Sequence, residues 1–238
     1  MSREIHNDFA TLKVFLLEYN LSHLIVNESF NTFISQQHKK YFSYLTFIAE
    51  IQNYVGITDY RNVISTTQIP FLRESCSDAG ISFFSTFHGS YKSSKLLLRS
   101  SIETFLKGYF LDLITDLDKE SKMYELFKRI KALPWCSAEP TKSLIEGIHG
   151  KYKLLCQDVH TATNLNMVNL SALNYFPSFD YDEAKKVSDF SLSLISSYLT
   201  LLSLKYNEQF HAFHFKNRKI IINSIQRDYR PIINNIVD

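Results

Sequence analysis

Six glycines and five prolines among 238 residues leave this chain too few turn-formers for a sheet-rich fold. A meander of short strands needs a turn residue every ten positions or so, whereas long helices need only a few breaks. With 45% of the residues hydrophobic and 14% aromatic, there is ample material for one large packed core. The expectation is an all-α protein: a single helical bundle of about seven helices over residues 1–208, followed by a basic, aromatic C-terminal segment, 209–238.

Apolar spacing at three and four residues predicts helices over 7–22, 29–55, 71–113, 122–132, 141–160 and 183–206. The sequence His88-Gly89-Ser90 marks a joint within the 71–113 stretch, and Gly56 a break after the second helix. Residues 60–69 are ambiguous, since Val63, Ile64, Thr66 and Thr67 favour extended backbone. The stretch 161–182 is rich in Asn, Ser and Thr and reads as a long irregular excursion, with Asp182 as a cap for the helix that follows.

The formal net charge of +2 gives no global attraction for nucleic acid or membrane, so any such contact has to come from a local patch. No run of eighteen uncharged apolar residues is present, and a membrane span is not expected. Cys76, Cys136 and Cys156 are odd in number, widely spaced and without a CxxC pair, which speaks against a disulfide framework or a structural zinc site. The first twenty residues carry Arg3, Glu4, Asp8 and Lys13 and lack the apolar core of a signal peptide. Cytoplasmic residence is the expectation. Signatures for ATP, dinucleotides, zinc proteases and α/β-hydrolases are missing, so neither cofactor nor metal is implied.

Two charges stand out. On a helix, Arg99 and Glu103 continue a stripe of Leu106, Phe110 and Leu113 beside a second stripe of Leu98, Ile102, Phe105 and Tyr109. Burying a charge costs several kcal/mol unless it is paired, so both residues need a reason to be there. Further on, Tyr152, Cys156 and His160 share a face at four-residue spacing. His160 falls at a helix C-terminus, where exposed carbonyls favour the imidazolium. If that face packs on the helix of Arg99, the three polar groups meet.

The pattern RSSIE at 99–103 followed by YKLLCQDVH at 152–160 resembles a bacterial branch of the HEPN-like superfamily, over roughly residues 83–206. That resemblance implies an α-helical bundle, often dimeric. It also implies a cytoplasmic effector or accessory protein of a phage-defence or toxin–antitoxin module, acting as a metal-independent ribonuclease on RNA. The superfamily's hallmark Arg shortly before a His on one helix is absent, because Arg99 and His160 stand on different helices. Carried over to this chain, His160 is the general base, Arg99 the anion stabiliser and Glu103 the orienting group.

Two other readings stand beside it. Arg99 and Glu103 can instead form an intrahelical salt bridge that knits a non-catalytic scaffold, one that binds a partner protein or dimerises through the aromatic-rich 29–55 helix. Alternatively, Lys216, Arg218, Lys219, Arg227 and Arg230 can grip phosphates, with Phe213, Phe215 or Tyr229 as stacking surfaces, in a nucleic-acid-binding module without chemistry. His211 and His214 lack a third ligand, and His38 beside Lys39 and Lys40 reads as the polar face of a long helix.

Overall fold

A computed structural model describes residues 2–18, 21, 26–159 and 179–235. Among them are ten α-helices: α1 (Arg3–Glu18), α2 (Glu28–Ile51), α3 (Gln68–Phe87), α4 (Tyr91–Phe110), α5 (Met123–Lys131), α6 (Thr141–Val159), α7 (Tyr181–Lys205), α8 (Asn207–Ala212), α9 (Phe215–Ile222) and α10 (Arg230–Asn234). The protein is all-α. About seven helices were expected, and the additional ones are the short turns α8 to α10, into which the C-terminal segment folds.

Local chemistry sets most boundaries. Asn27 caps α2 by accepting a hydrogen bond from the Phe30 amide at 3.1 Å. The cap of α7 is Asp180, which accepts from the Glu183 amide at 2.9 Å, and Asp182 lies inside the first turn. Gly89 takes φ +72°, a left-handed conformation that costs glycine nothing, and this is the joint between α3 and α4. Gly56, at φ +74°, ends the extension of α2, and its amide donates to the Ile64 carbonyl at 2.9 Å. The ambiguous 60–69 stretch contributes only that one isolated bridge between Val55 and Ile64, and α3 begins at Gln68.

The core is built around α7, which touches α2, α3, α4 and α6. Phe105 of α4 stacks on Tyr198 of α7 with ring centroids 3.9 Å apart, and Tyr44, Phe47, Leu72, Ile102, Ile148 and Leu201 complete the buried centre. By length and apolarity α7 could cross a membrane, yet most of its surface is buried against neighbouring helices. The α3–α4 hairpin is held by hydroxyls as much as by apolar contact. Ser75 meets Ser101 at 3.0 Å, Ser94 donates to the Ser82 carbonyl at 2.8 Å, and Thr86 meets Ser94 at 3.0 Å. A smaller aromatic cluster of Phe9, Phe30, Phe33, Phe83 and Phe87 closes the end where α1 docks. The aromatic residues Phe30, Phe33, Tyr44 and Phe47 of the 29–55 helix are therefore buried within the chain itself.

The C-terminal segment belongs to this core. Phe210, Phe213, Ile220, Ile221, Ile225 and Ile233 are buried. Ser43 of α2 meets the Ser224 hydroxyl at 2.7 Å, and the Asn217 amide donates to the Glu50 carboxylate, so α9 is pinned along α2.

Candidate functional sites

The condition for the polar groups to approach, packing of the Arg99 helix on the 141–160 helix, is met: α4 lies against α6. Leu98, Ile102, Phe105 and Tyr109 are buried, whereas Arg99 and Glu103 are half-buried at the margin of the seam and Leu113 is exposed. Arg99 donates from Nε to the Tyr152 hydroxyl at 3.0 Å, and its guanidinium carbon lies 5.5 Å from that ring's centroid. The hydrogen bond to Tyr152 holds the guanidinium pKa above its ordinary value. Burial pushes the Tyr152 phenol up, against the pull of Arg99.

Glu103 does not pair with Arg99. Its carboxylate binds Lys107, one turn on, at 3.2 Å. The intrahelical Arg99–Glu103 bridge is thus replaced by two separate contacts: the guanidinium reaches across the seam to a phenol, and Lys107, one turn on the other side of Glu103, takes the carboxylate. His160 follows α6 directly and lies outside the described residues.

A polar cluster that the sequence did not announce is buried deeper. The Lys205 side chain, only 4% exposed, binds Asp112 at 2.6 Å and the Tyr109 carbonyl, with the Tyr109 and Tyr206 rings 4.8 and 5.3 Å from its ammonium. Gln68 donates to Asp112 at 3.2 Å, to the Gly108 carbonyl at 3.0 Å and to the Tyr206 hydroxyl at 3.2 Å. Burial lowers the Lys205 pKa, and Asp112 opposes the shift. Its partners are all satisfied within the fold, which marks it as a connector of α3, α4 and α7.

His38, too, is buried, contrary to its reading as part of an exposed polar face. Its Nε2 contacts the Asp8 carboxylate at 2.6 Å, and the Phe9 ring lies 5.3 Å away, so it fastens α1 to α2. Among the described residues no three His, Cys, Asp or Glu side chains converge as a metal would require. His211 donates from Nε2 to the Ile233 carbonyl at 3.0 Å.

The basic C-terminal residues separate into two groups. Arg218 donates to the His211 carbonyl at 2.5 Å, and Arg230 donates to the carbonyls of Ile225 at 3.0 Å and Asn223 at 3.2 Å, so both tie off helix ends. Arg227 is exposed in the turn before α10. Lys216 and Lys219 are exposed and line a cleft of about 510 Å³ between the start of α1, the middle of α2 and α9. Ser2, Glu4, Ile5, Lys39, Phe215 and Asn223 share its walls. Phe215 is 62% exposed, whereas Phe213 is buried and Tyr229 half-buried, so of the three rings Phe215 is the one open to solvent. The single acid there, Glu4, pairs with Lys216 at 3.5 Å against three lysines.

No protein-family model matches this chain, and the characterised proteins and solved structures compared with it give no match either.

Proposed function

We propose that the protein binds single-stranded nucleic acid, RNA in the first place, in the cleft between α1, α2 and α9. The observation that carries this reading is one exposed aromatic ring, Phe215, set among Lys39, Lys216 and Lys219 in a cleft of about 510 Å³. Lysines that track a phosphate backbone beside a ring on which a base can stack are the two elements of sequence-tolerant single-strand binding. The first turn of α1 adds its amide dipoles, since Ser2 and Glu4 line the same space and Ser2 caps the helix by accepting from the Ile5 amide at 3.4 Å.

The decisive measurement is fluorescence anisotropy with a labelled octa-adenylate at graded salt. Binding should weaken steeply with salt and flatten in Lys216→Ala/Lys219→Ala, because fewer counterions are released. Loss of the ring in Phe215→Ala should cost about 1–3 kcal/mol of affinity, the usual scale of a base–aromatic stack. Absence of salt-sensitive binding at low ionic strength would reject the reading.

A second reading, RNA cleavage by an HEPN-like effector or accessory protein of a bacterial defence or toxin–antitoxin module, is favoured by the Arg99–Tyr152 hydrogen bond. That bond fixes a guanidinium on the seam along which α6 runs toward His160. In it Arg99 stabilises phosphorane charge, and His160 takes the ribose 2′-hydroxyl proton. An unchanged cleavage rate in His160→Ala would remove it.

A further inference from the structure

A crowd of like charges lies beside the cleft. Lys39 lines the cleft beside Asn223. Lys40, half-buried, donates to the Ser224 carbonyl, and Arg230 donates to the Asn223 carbonyl. Lys40 and Arg230 therefore converge on two consecutive carbonyls of the turn that forms the cleft's rim. Among the described residues no carboxylate forms an ion pair with Lys39, Lys40 or Arg230. Of the elements packed around them, α1 offers Glu4, which is paired with Lys216, and Asp8, which is paired with His38. Helix α9 offers Lys216, Lys219 and Arg218, the last turned to the His211 carbonyl, and the turn before α10 offers the exposed Arg227 and Asp228. Half-buried cations that face each other without an acid are destabilising unless something outside the chain neutralises them.

We propose that Lys39, Lys40 and Arg230 form a second phosphodiester subsite at the rim of the cleft, beside the one made by Lys216 and Lys219, so that two successive phosphates of one strand are held. Donor capacity allows it. Ser224 takes one of the three N–H donors of the Lys40 ammonium, and two carbonyls take two of the five on Arg230. This inference rests on the nucleic-acid reading of the cleft and adds a signature of its own. Burial, reinforced by Lys39 and Arg230, lowers the Lys40 pKa to about 8. A phosphodiester set beside it favours the charged form, so binding near pH 8 draws in a proton.

The experiment is calorimetric titration of the full chain with octa-adenylate at pH 8, in two buffers of different ionisation enthalpy. It compares wild type with Lys40→Arg, Lys40→Met and Lys216→Ala/Lys219→Ala. Neither the phosphodiester nor adenine titrates near that pH. Wild type should take up about half a proton per complex, as a group at its midpoint does. Lys40→Arg should bind within about twofold of wild type and take up none, and Lys40→Met should bind about fivefold more weakly or worse. Uptake that persists in Lys40→Arg would assign it to another group, such as an α-amino group next to Ser2, and overturn the proposal. Wild-type affinity in a folded Lys40→Met would do the same. If Lys40→Met does not fold, uptake in Lys40→Arg decides alone. Loss of binding in Lys216→Ala/Lys219→Ala with Lys40→Met unaffected sinks the second subsite and leaves the cleft reading standing. Failure of wild type to bind octa-adenylate sinks both.

Discussion

Replacing Asp112 by alanine tests whether the Lys205 cluster holds three helices together. The substitution strips the carboxylate from an ammonium that is 4% exposed and leaves it only the Tyr109 carbonyl and two ring faces. Removing one partner of a buried ion pair costs about 3–5 kcal/mol, because the survivor stays desolvated and uncompensated. Asp112 itself is 26% exposed, so water can enter the space it leaves, and about 2–3 kcal/mol is the reasoned figure. Gln68 keeps the Gly108 carbonyl and the Tyr206 hydroxyl and adds little to the loss. In urea the midpoint should fall by about 1 M for a protein of this size. The double variant Asp112→Ala/Lys205→Met removes the stranded charge and should recover to within about 1 kcal/mol of wild type. Because a lone buried lysine escapes by losing its proton, the deficit of Asp112→Ala should shrink as pH rises above neutrality. A loss below about 0.5 kcal/mol, or a double variant no better than Asp112→Ala, would refute the account.

Gly108→Ala should destabilise by about 1–3 kcal/mol despite the better helix propensity of alanine, because the new Cβ would sit 2.9 Å from Leu72 Cγ and 3.0 Å from its backbone nitrogen; a urea melt equal to wild type would contradict this. Alkaline unfolding should be cooperative. Burial raises the phenol pKa of Tyr44, Tyr109, Tyr198 and Tyr206 above the ordinary 10.0, so their contribution is intact below about pH 10 and lost as pH climbs past it. Lys40, Lys151 and Lys205, shifted downward, work the opposite way between their folded values and 10.5, but three lysines stand against four fully buried phenols. A gradual phenolate absorbance change with unaltered circular dichroism would count against that balance. Finally, burial pushes the Cys76 thiol up to about 12 and Cys136 up to about 11, while Cys156 is only half-buried, so a disulfide-exchange reagent should modify Cys156 first. Equal rates for all three thiols in the folded protein would be the contrary result.

Helix periodicity and the scarcity of glycine and proline located most of the helices in the sequence, down to the Gly89 joint, while the packing of α4 on α6 stood only as a condition. What they misjudged were polar choices that depend on partners far along the chain. Lys205 reads as an ordinary basic residue in a helix's last turn, and its partner Asp112 lies 93 positions away. The pairing of Glu103 with Lys107 rather than Arg99 turned on Tyr152, a residue 53 positions from Arg99 that offered the guanidinium a better contact. Asp180 rather than Asp182 caps α7 because Tyr91, from α4, fixes Asp180 by hydrogen bonds to its backbone amide and carbonyl. Phe215 was legible only as one of three candidate rings, because the choice between them turns on burial, which takes Phe213 into the core and leaves Phe215 open. Lys39 and Lys40 carried no signal, since a polar pair on a long helix is ordinarily solvated.

Because residues 209–235 interleave lysines and arginines with Ile220, Ile221, Ile225 and Ile233, grip and glue cannot be separated by a clean cut. Deleting the segment would uncover the flank of α2 and confound every affinity measured afterwards. Probing the cleft therefore calls for single side chains along its rim, exchanged one at a time while the scaffold beneath them stays put.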